Sequence, residues 1–374
     1  MKKVLLVATV QSHICQFHKP LIDLLHEYGY IVHVAAKDNL AEKNGLTLDF
    51  ADKVFDIPFE RSPFSLKNIK AKKILKKVID ENGYDVVHTN TPVGGVIARL
   101  SARKARSNGT KVYYTVHGFH FYKGASKKNW ALYFPIEKYL ERFTDKIITV
   151  TKEDYNFAKA KFNCKIEYIH GVGADANKYA PPTEEEKSTL RQEQNFSNDE
   201  TIFLCIGELN KNKNQSTLIK AFANVVKQYP NAKLLLAGNG PTENVLKAKI
   251  KEYNLEDKII LLGYRTDLEK FIKLSDIIVS ASFREGMPMN IIEGMISSKP
   301  VIVSKNRGHK ELIKDNENGY IVNATDVDAF SKKMFELLLD KEKQIAFGKF
   351  GASMVTPWYA DNVKQELKEI YNLN

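Results

Sequence analysis

The sequence is poor in cysteine. Cys15, Cys164 and Cys205 lie far apart and are odd in number. No disulfide framework and no C-x-x-C pair can be drawn from them, which fits a reducing cytosol. Long hydrophobic runs are missing too, and no apolar stretch approaches the ~20 residues that a membrane-spanning helix needs. The opening MKKVLLVATVQSH carries two lysines and a short apolar run, as a signal peptide does, but it lacks a small-residue cleavage site and reads as a buried first strand. There is no H-E-x-x-H. The one D-x-D, Asp326-Val-Asp328, opens a helical pattern, where acidic residues read as caps. His117-x-x-His120 has no cysteine partner and reads as structural or substrate-contacting, so no metal is expected. No recognition helix, aromatic RNA-binding pattern or zinc finger is present, so nucleic acid is not an expected partner.

What the chain does have is a one-sided charge. The whole excess of +11 falls in residues 1–180, while residues 181–374 balance. Such asymmetry points to an anionic partner for the first half: nucleic acid, a phosphorylated substrate or the acidic face of a membrane. The hydrophobic share of 43% and charged share of 27% are ordinary for a globular protein, and 374 residues suggest two domains.

Short apolar runs such as KVLLVAT, IVHVAA, DVVHT, TIFLCIG and DIIVSA alternate with longer helical patterns throughout. This alternation predicts an α/β protein of two doubly wound, Rossmann-like parallel sheets facing a cleft, with ligands at the carboxyl ends of the strands. The periodicity breaks in APPTEEEKSTLRQEQNFSNDE, residues 180–200, which reads as the linker. The expected domains are 1–180 and 181–357, with a terminal helix at about 358–374 packing back on the first. In the first half, Leu66, Ile69, Ile74, Leu75, Val78 and Ile79 keep helical spacing, and lysines crowd the other positions. Lys67, Lys70, Lys73 and Lys77 would form a solvated face suited to anionic lipid.

Four segments of the second half can carry chemistry. In DIIVSASFREGMPMNIIEGM a strand runs through a Gly-containing turn into a helix opening near Pro288. Its free first-turn amides suit a diphosphate, while Glu285 and Glu293, eight positions apart, suit sugar hydroxyls. LCIGELNKNKNQSTLIKAF places Lys211 and Lys213 between a strand ending at Gly207 and a helix from about Gln215. LLAGNGP and LLGYRTDLEKFIKLSD bring further turns to the same sheet edge.

These motifs, in this order, resemble the two-domain GT-B nucleotide-sugar glycosyltransferases of retaining family 4. The signature is Glu285-x7-Glu293 followed by GMISSKPVIVS, and the match runs over nearly all of residues 200–325. DVVHTNTPVGGVIARL, YYTVHGFHF and YIHGVGADANKY agree in the first half, and the set is most similar to transferases of exopolysaccharide and capsule assembly.

The resemblance implies that Glu293 binds the ribose, Glu285 the donor sugar, and Lys213 the diphosphate. It sets the turn Gly286, Met287, Met289 at the phosphates, with Gly207, Lys211 and Asn239 beside them, and Gly263 and Arg265 at the base. His117 would face the donor sugar across the cleft. His117, Glu285 and Lys213 are thus the expected catalytic group. Glu208 stands where the family usually has arginine, so Lys211 or Arg284 would supply the missing cation. The segment TVQSHICQFHKP replaces a paired-glycine loop, leaving His13, Phe17, His18 and His120 as the acceptor-side candidates.

The implied reaction is metal-free transfer from a UDP-sugar to a polyprenyl-diphosphate-linked saccharide, with no cofactor, at the cytoplasmic face of an anionic membrane. Two alternatives stand beside it. One is a nucleotide-sugar 2-epimerase of the same architecture, which the Glu-x7-Glu motif disfavours. The other is a non-enzymatic protein that binds an anion or nucleic acid through the basic first half.

Overall fold

Thirteen strands form where the apolar runs predict them, among residues 1–43 and 46–373, which the computed structural model describes. They divide between two compact units, Met1–Gly173 with Ala360–Asn374, and Ala174–Tyr359.

The sheet of unit 1 contains β1 (Lys3–Val10), β2 (Ile31–Lys37), β3 (Lys53–Asp56), β4 (Val86–Thr89), β5 (Lys111–Val116), β6 (Lys146–Thr149) and β7 (Lys165–Tyr168). All pairs are parallel, in the order β3-β2-β1-β4-β5-β6-β7. The sheet of unit 2 contains β8 (Thr201–Ile206), β9 (Ala232–Ala237), β10 (Ile259–Gly263), β11 (Ile277–Ser280), β12 (Val301–Ser304) and β13 (Gly319–Val322). It too is parallel, in the order β10-β9-β8-β11-β12-β13.

Helices cover both faces of each sheet, which is why central strands are apolar at every position rather than at alternate ones. Val4, Leu5, Leu6 and Val7 of β1 are fully buried, as are Ile277, Ile278 and Val279 of β11. Each such side chain contributes about 1.5–3 kcal/mol of transfer free energy. Strand order reverses at β1/β4 and at β8/β11, and ligand crevices open at such points, outside the carboxyl ends of the strands.

Three expectations are corrected. The polar stretch at 180–200 is not a linker, because Glu184–Glu193 is a helix of unit 2. Thr183 caps it, Glu184, Glu185 and Glu186 fill its first turn, and the buried Arg191 pairs with Asp276 at 2.7 Å. A run of glutamates at a helix N-terminus complements the dipole and mimics linker composition.

The lysine helix spans Lys67–Asn82 and buries Asn68, Ala71, Leu75, Val78 and Ile79. Lys67, Lys70, Lys73 and Lys77 are all exposed, but Leu66 (81%) and Ile69 (57%) stand out in solvent with them. The apolar periodicity therefore belongs to the core only from residue 71 onward. After β1 the chain enters a helix at once, Gln11–Phe17, where the sequence suggested a loop.

The last helix, Ala360–Tyr371, belongs to unit 1. Its Tyr371 hydroxyl lies 2.6 Å from Nδ1 of the buried His88, whose Nε2 meets Thr115 Oγ1 at 2.7 Å. Glu366 accepts from the His170 amide at 2.9 Å.

Candidate functional site

In unit 2 the carboxyl ends of β8 and β11 carry two facing loops. The first runs from Gly207 to Asn214 and feeds helix Gln215–Gln228. Asn210 Oδ1 accepts from the Lys213 amide at 2.9 Å, and Asn214 turns the chain in left-handed geometry (φ 54°) while its side chain donates to the carbonyls of Ala281 and Ala324. The second loop runs from Ser282 to Pro288 and feeds helix Met289–Ile296. Backbone and side chain join them: Phe283 N donates to Asn212 O at 2.8 Å, and Asn212 Nδ2 to Arg284 O at 2.9 Å.

This clasp brings Lys213 Nζ to 2.7 Å from Glu285 Oε1, both side chains being largely buried. Gly207 lies beneath them, and a Cβ there would come within 3.0 Å of Lys213 Cε. The lysine thus lies along bare backbone at the end of β8.

Helix Met289–Ile296 has no side-chain cap and no acidic residue in its first turn. Its opening amides and positive dipole end therefore stand without a competing carboxylate of their own. Asn290 Nδ2 donates to Ile206 O at 2.9 Å and fixes this helix to the end of β8. Glu285 lies four residues before the helix begins, so a shared helical face does not explain its spacing from Glu293. Pro288 is the capping residue rather than a first-turn residue.

Glu293 lies in the second turn. Burial pushes its carboxyl up to about 7, against a hydrogen bond from the Tyr179 hydroxyl that favours the ionised form. Tyr179 is itself buried and receives Ser297 Oγ on its carbonyl at 2.6 Å.

Not every expected residue joins this group. Glu208 and Lys211 are exposed, and Glu208 accepts from Asn210 Nδ2 at 2.9 Å. Arg284, offered as a substitute cation, is exposed as well. Asn239 is an exposed turn residue whose carbonyl accepts from Leu209 N. Gly263 closes β10 with its carbonyl on Gly238 N at 2.8 Å. Arg265 forms a two-pronged pair with Asp267 at 2.8 and 2.6 Å and stacks over Phe271, so its guanidinium is already engaged.

The sequence did not reveal the supports of the Glu285 loop. Ser304 Oγ and Asn306 Nδ2 both donate to Ser282 O. His309 is fully buried, with Nδ1 2.7 Å from Ser304 O, and burial lowers its pKa to about 4. Gly308 passes so close that a Cβ would lie 2.2 Å from Gly286 O. Asn306 as a cap before a short helix was the available signal.

In unit 1, His13, Phe17, His18 and His117 come together as a ring cluster, with centroids 4.9 Å apart for His13–His117 and 5.0 Å for His13–Phe17. His120 leaves it and stacks on Tyr133 at 4.6 Å.

Two parallel-sheet units in one chain, each with its strand order reversing near the centre, have the architecture of the GT-B class. Residues 3–151 match the family Glycosyl transferase 4-like, and residues 186–354 match Glycosyl transferases group 1. The chain is 40% identical over 374 residues to the glycosyltransferase EpsD of Bacillus subtilis (strain 168), covering 99% of this chain and 96% of that one. It is 28% identical to the UDP-Gal:alpha-D-GlcNAc-diphosphoundecaprenol alpha-1,3-galactosyltransferase of Escherichia coli, over 81% and 80% of the two chains. Anabaena Alr3699/HepE, solved with UDP and glucose, superposes with a TM-score of 0.80 over the whole of both chains at 20% identity. The chain belongs to the GT-B glycosyltransferases of the group 1 and 4-like families.

Proposed function

We propose that this glycosyltransferase moves a hexosyl or N-acetylhexosaminyl group, with retention, from a UDP-sugar to a lipid-diphosphate-linked saccharide in exopolysaccharide or capsule synthesis. The observation that carries the reading is the Lys213–Glu285 pair set beside an uncapped helix start, with Glu293 one turn further in. The UDP and glucose held by a protein of the same fold, and the UDP-galactose and diphosphoundecaprenol in the name of a relative, support it.

On this reading, Lys213 and the amides of Gly286, Met287 and Met289 hold the diphosphate. Charge that builds on the leaving phosphate is met by fixed dipoles and one ammonium, with no metal needed at that point. Glu285 takes hydroxyls of the donor sugar, Glu293 those of the ribose, and Gly263 lies at the base. The acceptor hydroxyl attacks from the face that the nucleotide leaves, and a phosphate oxygen takes its proton.

Unit 1 takes the acceptor. Among the described residues no helix is long and apolar enough to cross a membrane. The reading instead seats the protein on the cytoplasmic leaflet through Lys67, Lys70, Lys73 and Lys77, helped by the exposed Phe64, Leu66 and Ile69.

Calorimetry with UDP, GDP and several UDP-sugars, on metal-free protein, tests the donor site. UDP should bind, and Glu293→Ala should weaken it about 10-fold or more, while Glu285→Ala leaves UDP affinity near wild type and lowers turnover. Equal loss of UDP affinity in both variants, or no nucleotide binding, would overturn the assignment.

A further inference from the structure

The three histidines of unit 1 come from separate parts of the chain. His13 lies in helix Gln11–Phe17, His18 in the turn between that helix and helix Lys19–Glu27, and His117 directly after β5. Ring centroids are 4.9 Å apart for His13–His117, 5.1 Å for His13–His18 and 5.7 Å for His18–His117. One ring nitrogen of each lies within 4.8 Å of those of the other two. Nε2 of all three is buried without a hydrogen-bond partner.

One buried polar atom left unpaired costs about 1–3 kcal/mol. Three such atoms in one histidine cluster are a poor packing solution but a good ligand set. An imidazole with its proton on Nδ1 leaves the Nε2 lone pair free for a cation. Phosphate would ask for protonated rings. A divalent transition-metal ion asks for bare nitrogen.

We propose that His13, His18 and His117 form a three-histidine site for one divalent transition-metal ion of the zinc type. Zinc binds imidazole at about 2.0–2.1 Å and takes four ligands in tetrahedral array, which sets its nitrogens roughly 3.4 Å apart. Side-chain rotations that close the present spacing, up to 4.8 Å, by as much as about 1.4 Å meet this. Three protein ligands leave the fourth position to water or to a substrate oxygen. The H-x-x-H pair in the sequence is not the site, because His120 is stacked on Tyr133. The ion would give His13 and His18 a role. Its ligands all come from unit 1 and its test reads metal rather than turnover, so it can fail without the transferase reading failing.

The test uses the full chain without a histidine tag, stripped with a chelator and loaded with Co2+ or Zn2+ before gel filtration. One ion per chain is expected, with visible d–d absorption of tetrahedral cobalt. His13→Ala and His18→Ala should each weaken affinity about 100-fold or more, whereas His26→Ala, at an exposed histidine, should leave it unchanged. Because a buried substitution can unfold the unit, zinc X-ray absorption on the wild-type chain gives a second reading, and three imidazole ligands are expected. A stripped wild-type chain that takes up no ion would overturn the proposal. So would full retention of the ion by the His13→Ala/His18→Ala double variant, or a first shell with fewer than three imidazoles.

Discussion

Lys213 Nζ and Glu285 Oε1 stand 2.7 Å apart although 72 residues separate them in sequence. Each residue follows a different central strand of the same sheet, so the pair joins the two elements that flank the β8/β11 switch point. On the proposed reaction this lysine is the one side-chain cation at the diphosphate. Lys213→Ala should lower kcat by about 10²–10³, the usual effect of deleting one charge-stabilising donor. Stability should fall by about 1–3 kcal/mol, since the largely buried Glu285 carboxylate loses its partner. Transfer kinetics and urea unfolding measure both, and a fully active variant would remove Lys213 from the mechanism.

Glu293 makes the donor site depend on pH. Its carboxyl is raised from 4.5 to about 7 in the folded protein, with burial the chief cause. A raised carboxylate pKa costs stability wherever the folded state must ionise it. Between pH 4.5 and 7 the folded chain keeps a proton that the unfolded chain has lost, so stability falls as pH rises through that window. The full cost, on the order of 3 kcal/mol, is present above it. Glu293→Gln should therefore stabilise the protein by roughly 2–3 kcal/mol at pH 8 and by nothing measurable near pH 4.5. Affinity for a UDP-sugar, whose phosphates do not titrate here, should rise about tenfold from pH 6 to 8 in the wild type, following carboxylate ionisation. It should stay flat in the variant. An unfolding difference independent of pH would contradict the raised pKa.

Much of the frame is legible in the sequence because parallel strands covered on both faces must be apolar throughout. TIFLCIG and DIIVSA, apolar at nearly every position, lie in the middle of their sheet. Local chemistry is legible for the same reason: a strand, a glycine turn and a helix start are neighbours in the chain. What the sequence hides is contact between distant segments. Nothing local tells that Tyr179 reaches Glu293, that His309 and Gly308 lie under the Glu285 turn, or that His18 meets His117. Composition misleads at residues 184–193, where glutamates that read as linker cap a helix. Periodicity misleads at Leu66 and Ile69, which continue the apolar pattern beyond the point where the core ends.

Those two residues lead to a test at the membrane. Phe64, Leu66 and Ile69 are 75%, 81% and 57% exposed on the segment that carries Lys67 and Lys70. Apolar side chains flanked by lysine suit the boundary between headgroups and acyl chains. Vesicles containing anionic lipid should bind the protein, and neutral vesicles should bind it much less. Replacing Lys67, Lys70, Lys73 and Lys77 by Gln should weaken binding by up to about 10³ at low salt, at about 1 kcal/mol per lysine. Salt should erase much of that difference. Leu66→Ser should weaken binding at any salt, because the apolar contribution is not screened. Equal binding of wild type and the four-lysine variant to anionic vesicles would sink the assignment.

Unit 1 also holds a charge pair deep in its interior. Arg99 is fully buried, donates through Nη1 to Glu137 Oε2 at 2.7 Å and through Nε to Gly95 O at 2.9 Å, and lies 4.1 Å from the centre of the Tyr114 ring. Its Nη2 is buried without a partner. Taking both charges out of water costs more than their attraction returns, unless every remaining hydrogen-bonding group is met. The unmet Nη2 places this pair on the costly side. Glu137→Ala strands the guanidinium and should destabilise the protein by about 3–5 kcal/mol, and Arg99→Met should cost a similar amount by stranding the carboxylate. Replacing both residues by Met keeps the volume and removes both charges, so the double variant should recover most of the loss. Urea unfolding of the four proteins gives the coupling directly. If the double variant loses the sum of the two single losses, the pair is not coupled and the buried charges are held by other groups.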